Sequence, residues 1–321
     1  MVDMARTTQG RNEDVEGAPE DRRDAYPVYQ EVVNRLEEVF VAVRENRSFD
    51  VTAMNPLVGR MIGLLREGDA LFQLVIQGRY EPSSLEMHSV NVAIIALKIG
   101  MKLGYDEGEL VALGLAALFH DVGMALVPRS VIEKQGGLSR QEHDLIRRHP
   151  EEGAAVLARV VGPELSWLPE IVVQEQERMD GSGYPSGLRG DEVHEMAYII
   201  GLADSFDAMI HHRAYRDGLA LFRALQELIQ ERNKQFPMRI VRALVSAISV
   251  FPLGSLVRLN TQEIGRVIRT STTHPTRPVV RIEQDARGHR TPGQRVVDLV
   301  EDPMIYVVDP AVEEEELEGS R

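Results

Sequence analysis

Leu110-Val111-Ala112-Leu113-Gly114-Leu115-Ala116-Ala117-Leu118-Phe119-His120-Asp121-Val122-Gly123 is the stretch on which the fold turns. The run Leu110–Phe119 is apolar on every side, the mark of a helix buried in the middle of a bundle. It ends on an imidazole beside a carboxylate. Burying both is costly unless they pair with each other or share a cation.

Working outward, two more segments repeat the anomaly. His88 shares a helical face with Val92 and Ile95, so its ring points inward. Asp204 interrupts Ile199-Ile200-Gly201-Leu202-Ala203-Asp204-Ser205-Phe206-Asp207, another apolar helix. A lone inward His or Asp is commonly satisfied by a hydrogen bond, but together these residues fit a metal site. The chain has no cysteine, so any metal must be held by His, Asp or Glu. Nitrogen and carboxylate donors suit Fe or Mn first, with Zn, Mg or Ni as alternatives. A metal of this kind polarises a phosphoryl oxygen and lowers the pKa of a bound water from 15.7 toward ~7, which points to hydrolysis.

Amphipathic or apolar helical patterns also cover residues 29–40, 55–78, 85–103, 107–121, 139–147, 151–160, 165–178, 193–210 and 218–234. After Phe251-Pro252-Leu253-Gly254 the pattern changes to short β-branched or alternating segments. These are Ser255–Leu259, Gly265–Arg269, Val279–Ile282, Arg295–Leu299 and Ile305–Val308. The expectation is a mainly α protein, an all-α bundle carrying a small C-terminal β-barrel or SH3-like module. The expected divisions are a disordered tail over 1–25, a helical region over 26–80, a metal-dependent domain over 81–250, a β module over 251–310 with no catalytic role, and an acidic tail over 311–321. The 321 residues carry 50 acidic against 36 basic side chains, a formal charge of −14, which argues against a nucleic-acid polymer as partner. No signal peptide is expected, and the apolar stretches carry charges or fall short of ~18 residues, so the reading is cytoplasmic with no membrane span.

His88, then His120-Asp121, then Asp204 resembles the H…HD…D signature of the HD phosphohydrolase superfamily. Glu177-Arg178-Met179-Asp180-Gly181-Ser182-Gly183-Tyr184-Pro185 resembles the hallmark of its HD-GYP branch, as does Ala203–Met209 followed by Arg213-Ala214-Tyr215-Arg216. The resemblance covers about residues 70–240. It implies an HD-type helical bundle that hydrolyses cyclic di-GMP or a related cyclic dinucleotide in bacterial second-messenger signalling. It implies a first metal site of His88, His120, Asp121 and Asp204, with His120 and Asp121 at the catalytic core. Asp121 would bridge to a second site with His149 and Glu175. Read alone, His149 is better explained as a loop histidine before a helix-opening proline. For the substrate the resemblance implies Tyr184, Asp207, Arg213 and Arg216.

Four positions depart from that pattern. The branch's His-His-Glu before the GYP loop is here Glu175-Gln176-Glu177, and its lysine after the HD aspartate is Met124. Ser84 stands where members with three metals carry a glutamate. The expectation is one firm metal site and a weaker second. The alternative is a catalytically degenerate member that binds a nucleotide or a partner such as a diguanylate cyclase domain; a homodimer is compatible with either.

Overall fold

The computed structural model describes residues 20–76, 84–134, 136–211, 224–225, 227–228, 234–248, 251, 254–271, 274, 276–291 and 295–311. Its centre is a helical hairpin of α4 (Leu85–Leu103) and α5 (Glu107–Phe119). Ser84 caps α4, its hydroxyl accepting from the Met87 N–H, so a residue considered at a metal position serves instead as a helix start. The hairpin turns through Gly104 in the left-handed region and restarts at Asp106, which forms a reciprocal capping box with Glu109. Val90, Ile94, Leu97, Leu113, Leu115 and Leu118 are fully or almost fully buried along it.

Before the hairpin come α1 (Glu20–Arg44), α2 (Asn55–Glu67) and α3 (Ala70–Ile76). Helix α1 starts inside the stretch expected to be a disordered tail, because Ala25, Val28 and Tyr29 are already buried. The helix expected over 55–78 is broken at Gly68, whose extended backbone leaves the helical region. After the hairpin come α6 (Arg129–Ile132), α7 (Arg140–Ile146), α8 (His149–Val160), α9 (Trp167–Val172), α10 (Glu195–His211) and α11 (Met238–Ala247). Helix α9 stops six residues short of the expected end. Beyond it the N–H groups of Gln174, Glu175 and Glu177 bond three residues back, a tightened coil in place of an α-helix. Helix α11 was not anticipated; it follows Pro237 and buries Ile240, Val241 and Leu244.

The stretch Glu107–Leu126 is long and apolar enough to cross a membrane by length and composition alone, a test that a buried core helix also passes. Here it is α5 followed by the 3-10 turn Val122–Leu126, and 67% of the most apolar window is buried inside the protein. That turn docks on α8 at Gly123. A Cβ at Gly123 would sit 2.0 Å from the His149 carbonyl oxygen and 2.6 Å from the Gly153 nitrogen. Only glycine permits this approach, and it sets His149 beside Asp121.

All five expected strands form: β1 (Leu256–Leu259), β2 (Ile264–Arg269), β3 (Val279–Gln284), β4 (Val296–Asp298) and β5 (Val307–Ala311). They pair antiparallel in the order β4-β3-β2-β1-β5. The barrel expectation is corrected to a curled sheet, roughly a half-barrel, since β4 and β5 are opposite edges that do not pair. Register shifts in β1 and β2 bend it, and Val257, Leu259, Val267, Val280 and Ile282 bury its inner face.

Candidate metal centre

The centre lies where α4, the end of α5, the start of α8, the coil after α9 and α10 converge. Three imidazoles are each tethered at Nδ1 and present Nε2 inward. His120 Nδ1 lies 2.8 Å from the Ala117 carbonyl oxygen and His149 Nδ1 2.8 Å from that of Ile146, so both donate there. His88 Nδ1 is 2.8 Å from Asp207 Oδ2. This outward tether is how metal-ligating histidines fix tautomer and ring orientation.

The inward nitrogens face carboxylates. His88 Nε2 is 3.8 Å and His120 Nε2 3.6 Å from Asp121 Oδ2, while His149 Nε2 is 3.3 Å from Asp121 Oδ1 and 2.8 Å from Glu175 Oε1. His88, His120 and Asp121 thus make one group, and Asp121, His149 and Glu175 a second, each with donor atoms within 4.8 Å of one another. Asp204 joins through His88, its Oδ1 3.1 Å from Nε2.

Two atoms test whether the donors suit a cation. His120 Nε2 and Glu175 Oε2 are buried with no hydrogen-bond partner. Because His120 donates from Nδ1, its neutral tautomer leaves an Nε2 lone pair facing a carboxylate. Acceptor facing acceptor in the interior is unfavourable, and a divalent cation relieves it. The nitrogen–oxygen donor set fits such an ion.

Without a cation, protons are held at His88 and in the His149–Glu175 pair. Burial opposes a charged His149, but the Glu175 hydrogen bond and the Asp121 and Glu175 charges carry its pKa up to about 9. Burial also opposes charge on His88, yet Asp204 and Asp207 raise it well above the ordinary value. Burial pushes Glu175 up, against the lowering effect of His149, so that pair retains a proton at neutral pH. Asp204 is held well below the carboxylate range by His88, despite its own burial. Groups with raised folded-state pKa values stabilise below their unfolded pKa and lose that contribution as pH rises through the folded value. With chelator present, His149 should therefore make the melting temperature fall between pH 6.5 and about 9. A flat profile over that window would contradict the pairing.

The remaining expected site residues fall in different places. Tyr184 stands at the rim, its ring perpendicular to that of His149 at 6.4 Å between centroids. Asp207, expected at the substrate, is fully buried behind His88, so its reach is to the imidazole. Arg213 and Arg216 lie outside the described residues. Gln176, one of the departures, donates from Nε2 to Asp204 Oδ2 at 3.2 Å and accepts from Arg178 at Oε1.

Glu177 was missed by sequence reasoning. Buried at the foot of the glycine-rich loop, its carboxylate accepts from the N–H groups of Ser186, Gly187 and Leu188 at 2.7, 3.1 and 3.0 Å. It thereby closes the loop that carries Tyr184. The loop folds back closely enough that a Cβ at Gly183 would lie 2.4 Å from the Arg178 nitrogen. A carboxylate before a glycine-rich run was a visible signal, but the spacing did not say which N–H groups it would reach.

A sequence model of the family described as HD domain matches residues 75–240, and one described as KOW domain associated with HD domain matches 256–320. The chain is 31% identical over 264 residues to cyclic di-GMP phosphodiesterase PA4108 of Pseudomonas aeruginosa, covering 81% of this chain and 63% of that protein. It is 28% identical over 197 residues to cyclic di-GMP phosphodiesterase PdeB of Borreliella burgdorferi, covering 60% and 51%. The chain therefore spans less than two thirds of these relatives' length. It is also 34% identical over 134 residues to 3'3'-cGAMP-specific phosphodiesterase 1 of Vibrio cholerae, covering 42% of this chain and 31% of that one. Among solved structures, Bd1817, an HDG"Y"P protein from Bdellovibrio bacteriovorus, shares the fold with a TM-score of 0.58 at 20% identity, over 74% of this chain and 72% of that one.

Proposed function

The chain belongs to the HD-domain family, and we propose that it is a metal-dependent phosphodiesterase that opens a cyclic dinucleotide, cyclic di-GMP first. The observation that carries this reading is Asp121, whose two oxygens face two imidazole groups, one containing the unpartnered buried Nε2 of His120. Relatives named as phosphodiesterases for cyclic di-GMP and for 3'3'-cGAMP support the substrate class.

His88, His120, Asp121 and Asp204 would hold one divalent cation, Fe or Mn by their donor chemistry, and Asp121, His149 and Glu175 a second, more weakly. A divalent ion there supplies Lewis acidity to a phosphoryl oxygen and acidifies a water at neutral pH. The protein's own part is orientation. Asp207, Ala117 and Ile146 fix the three rings, Gln176 steadies Asp204, and Glu177 holds the Tyr184 loop over the centre. The substrate class and the burial of Glu107–Leu126 support a cytoplasmic protein.

The alternative, a degenerate binding module with a signalling partner, rests on Glu175-Gln176 standing where the resembled branch has two histidines. Glu175 weighs against it, since it is fully buried and directed at His149. Glu175→Ala separates the readings. In a working enzyme it should remove the second metal equivalent and nearly all cyclic di-GMP hydrolysis, as measured on anaerobically loaded protein. If wild type binds the dinucleotide without turnover, and Glu175→His with Gln176→His gains none, the binding-module reading replaces this one.

A further inference from the structure

The proposed substrate carries two phosphodiester charges, yet the centre presents Asp121, Glu175 and Asp204. Where among the described residues does it meet a cation? Arg178 is committed, donating to the Glu175 and Glu177 carbonyls and to Gln176 Oε1, with its guanidinium 4.9 Å from the Phe236 ring centroid. Arg147 is not. It closes α7 two residues before His149, is exposed, and lays its guanidinium 4.2 Å from the Tyr184 ring centroid. Among the described residues it meets no carboxylate and no hydrogen-bond acceptor through its side chain.

Resting on the phosphodiesterase reading, we infer that Arg147 is a substrate-binding residue that grips a phosphate of the cyclic dinucleotide at the rim of the metal centre. Tyr184 links the two places. Its ring lies under the Arg147 guanidinium and packs perpendicular to His149 of the second metal group. The charges of Glu175, Asp121 and Asp204 are all felt at the Tyr184 phenol, so the ring stands in the negative field an anionic substrate must enter. A guanidinium parked on an aromatic face keeps its N–H fork free along its edge, and the fork matches two non-bridging phosphate oxygens. Stacking also limits the rotamer freedom otherwise lost on binding, which favours arginine over lysine at this position.

The test is equilibrium binding of a hydrolysis-resistant phosphorothioate analogue of cyclic di-GMP to the 321-residue chain loaded with Mn(II), with metal content measured on each variant. Arg147→Ala should weaken binding about ten- to a hundredfold, the range for losing a charge-assisted contact. Arg147→Lys should recover part of that loss, and Arg147→Glu should exceed it. Metal content should equal that of wild type in all three, which a collapse of the centre would not allow. Affinities equal to wild type for Arg147→Ala and Arg147→Glu overturn the inference and leave the phosphodiesterase reading standing. Wild-type protein that holds its metal yet neither binds nor hydrolyses cyclic di-GMP overturns both.

Discussion

Asp121→Ala is expected to strip both metal groups at once and lower cyclic di-GMP hydrolysis by about a thousandfold, the scale for losing a group that acts directly on transition-state charge. Its Oδ2 faces His88 and His120, its Oδ1 faces His149, and no other described carboxylate reaches both groups. Removing even an outer-shell partner of a metal ligand costs 10–100-fold in metal affinity, so a shared direct donor should cost more than about 100-fold. Asp207→Asn gives the graded comparison, because Asp207 reaches the metal groups through His88 Nδ1 and is not itself a member of either. Competition with a fluorescent chelator reads both variants. Equal metal affinity for Asp121→Ala and wild type would show that the two groups are not joined through this residue.

Among the described glycines, Gly123→Ala should be the most damaging, since its Cβ makes the shortest contact with backbone. The new Cβ would meet backbone on both sides, His149 oxygen at 2.0 Å and Gly153 nitrogen at 2.6 Å, and neither atom can rotate away. The 3-10 turn and α8 must separate, at a cost of about 3 kcal/mol, the upper end for overpacking. Because α8 begins with His149, the same movement withdraws its ring from Asp121, so the second metal should be lost before the first. Gly63→Ala is the control. A Cβ there meets nothing within 4 Å in the middle of α2, and helix propensity alone should make it neutral or stabilising by up to ~1 kcal/mol. Thermal melts of the two variants should move in opposite directions or differ by several degrees; equal melts would contradict the tight contact.

The parts of this fold that the sequence revealed are those encoded by period and composition. The all-round apolar run Leu110–Phe119 announced a central helix, and β-branched segments after Gly254 announced five strands. Inward placement of His88, His120 and Asp204 was readable because each interrupts an apolar face. What stayed hidden depends on partners distant in the chain. Nothing local says that Asp207 turns behind His88, or that Glu177 reaches across to the 186–188 backbone. The early end of α9 was equally hidden, because the coil from Val173 keeps a helical pattern of apolar residues while its N–H groups bond three residues back. The open edge between β4 and β5 is a matter of strand order, which alternation alone does not specify.

The central claim is that two imidazole–carboxylate groups sharing Asp121 make a metal-dependent hydrolase for a cyclic dinucleotide. Cyclic di-GMP turnover by one anaerobically purified sample, followed before chelation, after chelation, and after return of Mn(II) or Fe(II), tests it most directly. The account predicts hydrolysis that disappears with the metal and comes back with it. Turnover indifferent to metal removal, or a fully metal-loaded protein that binds cyclic di-GMP and leaves it intact, would contradict it.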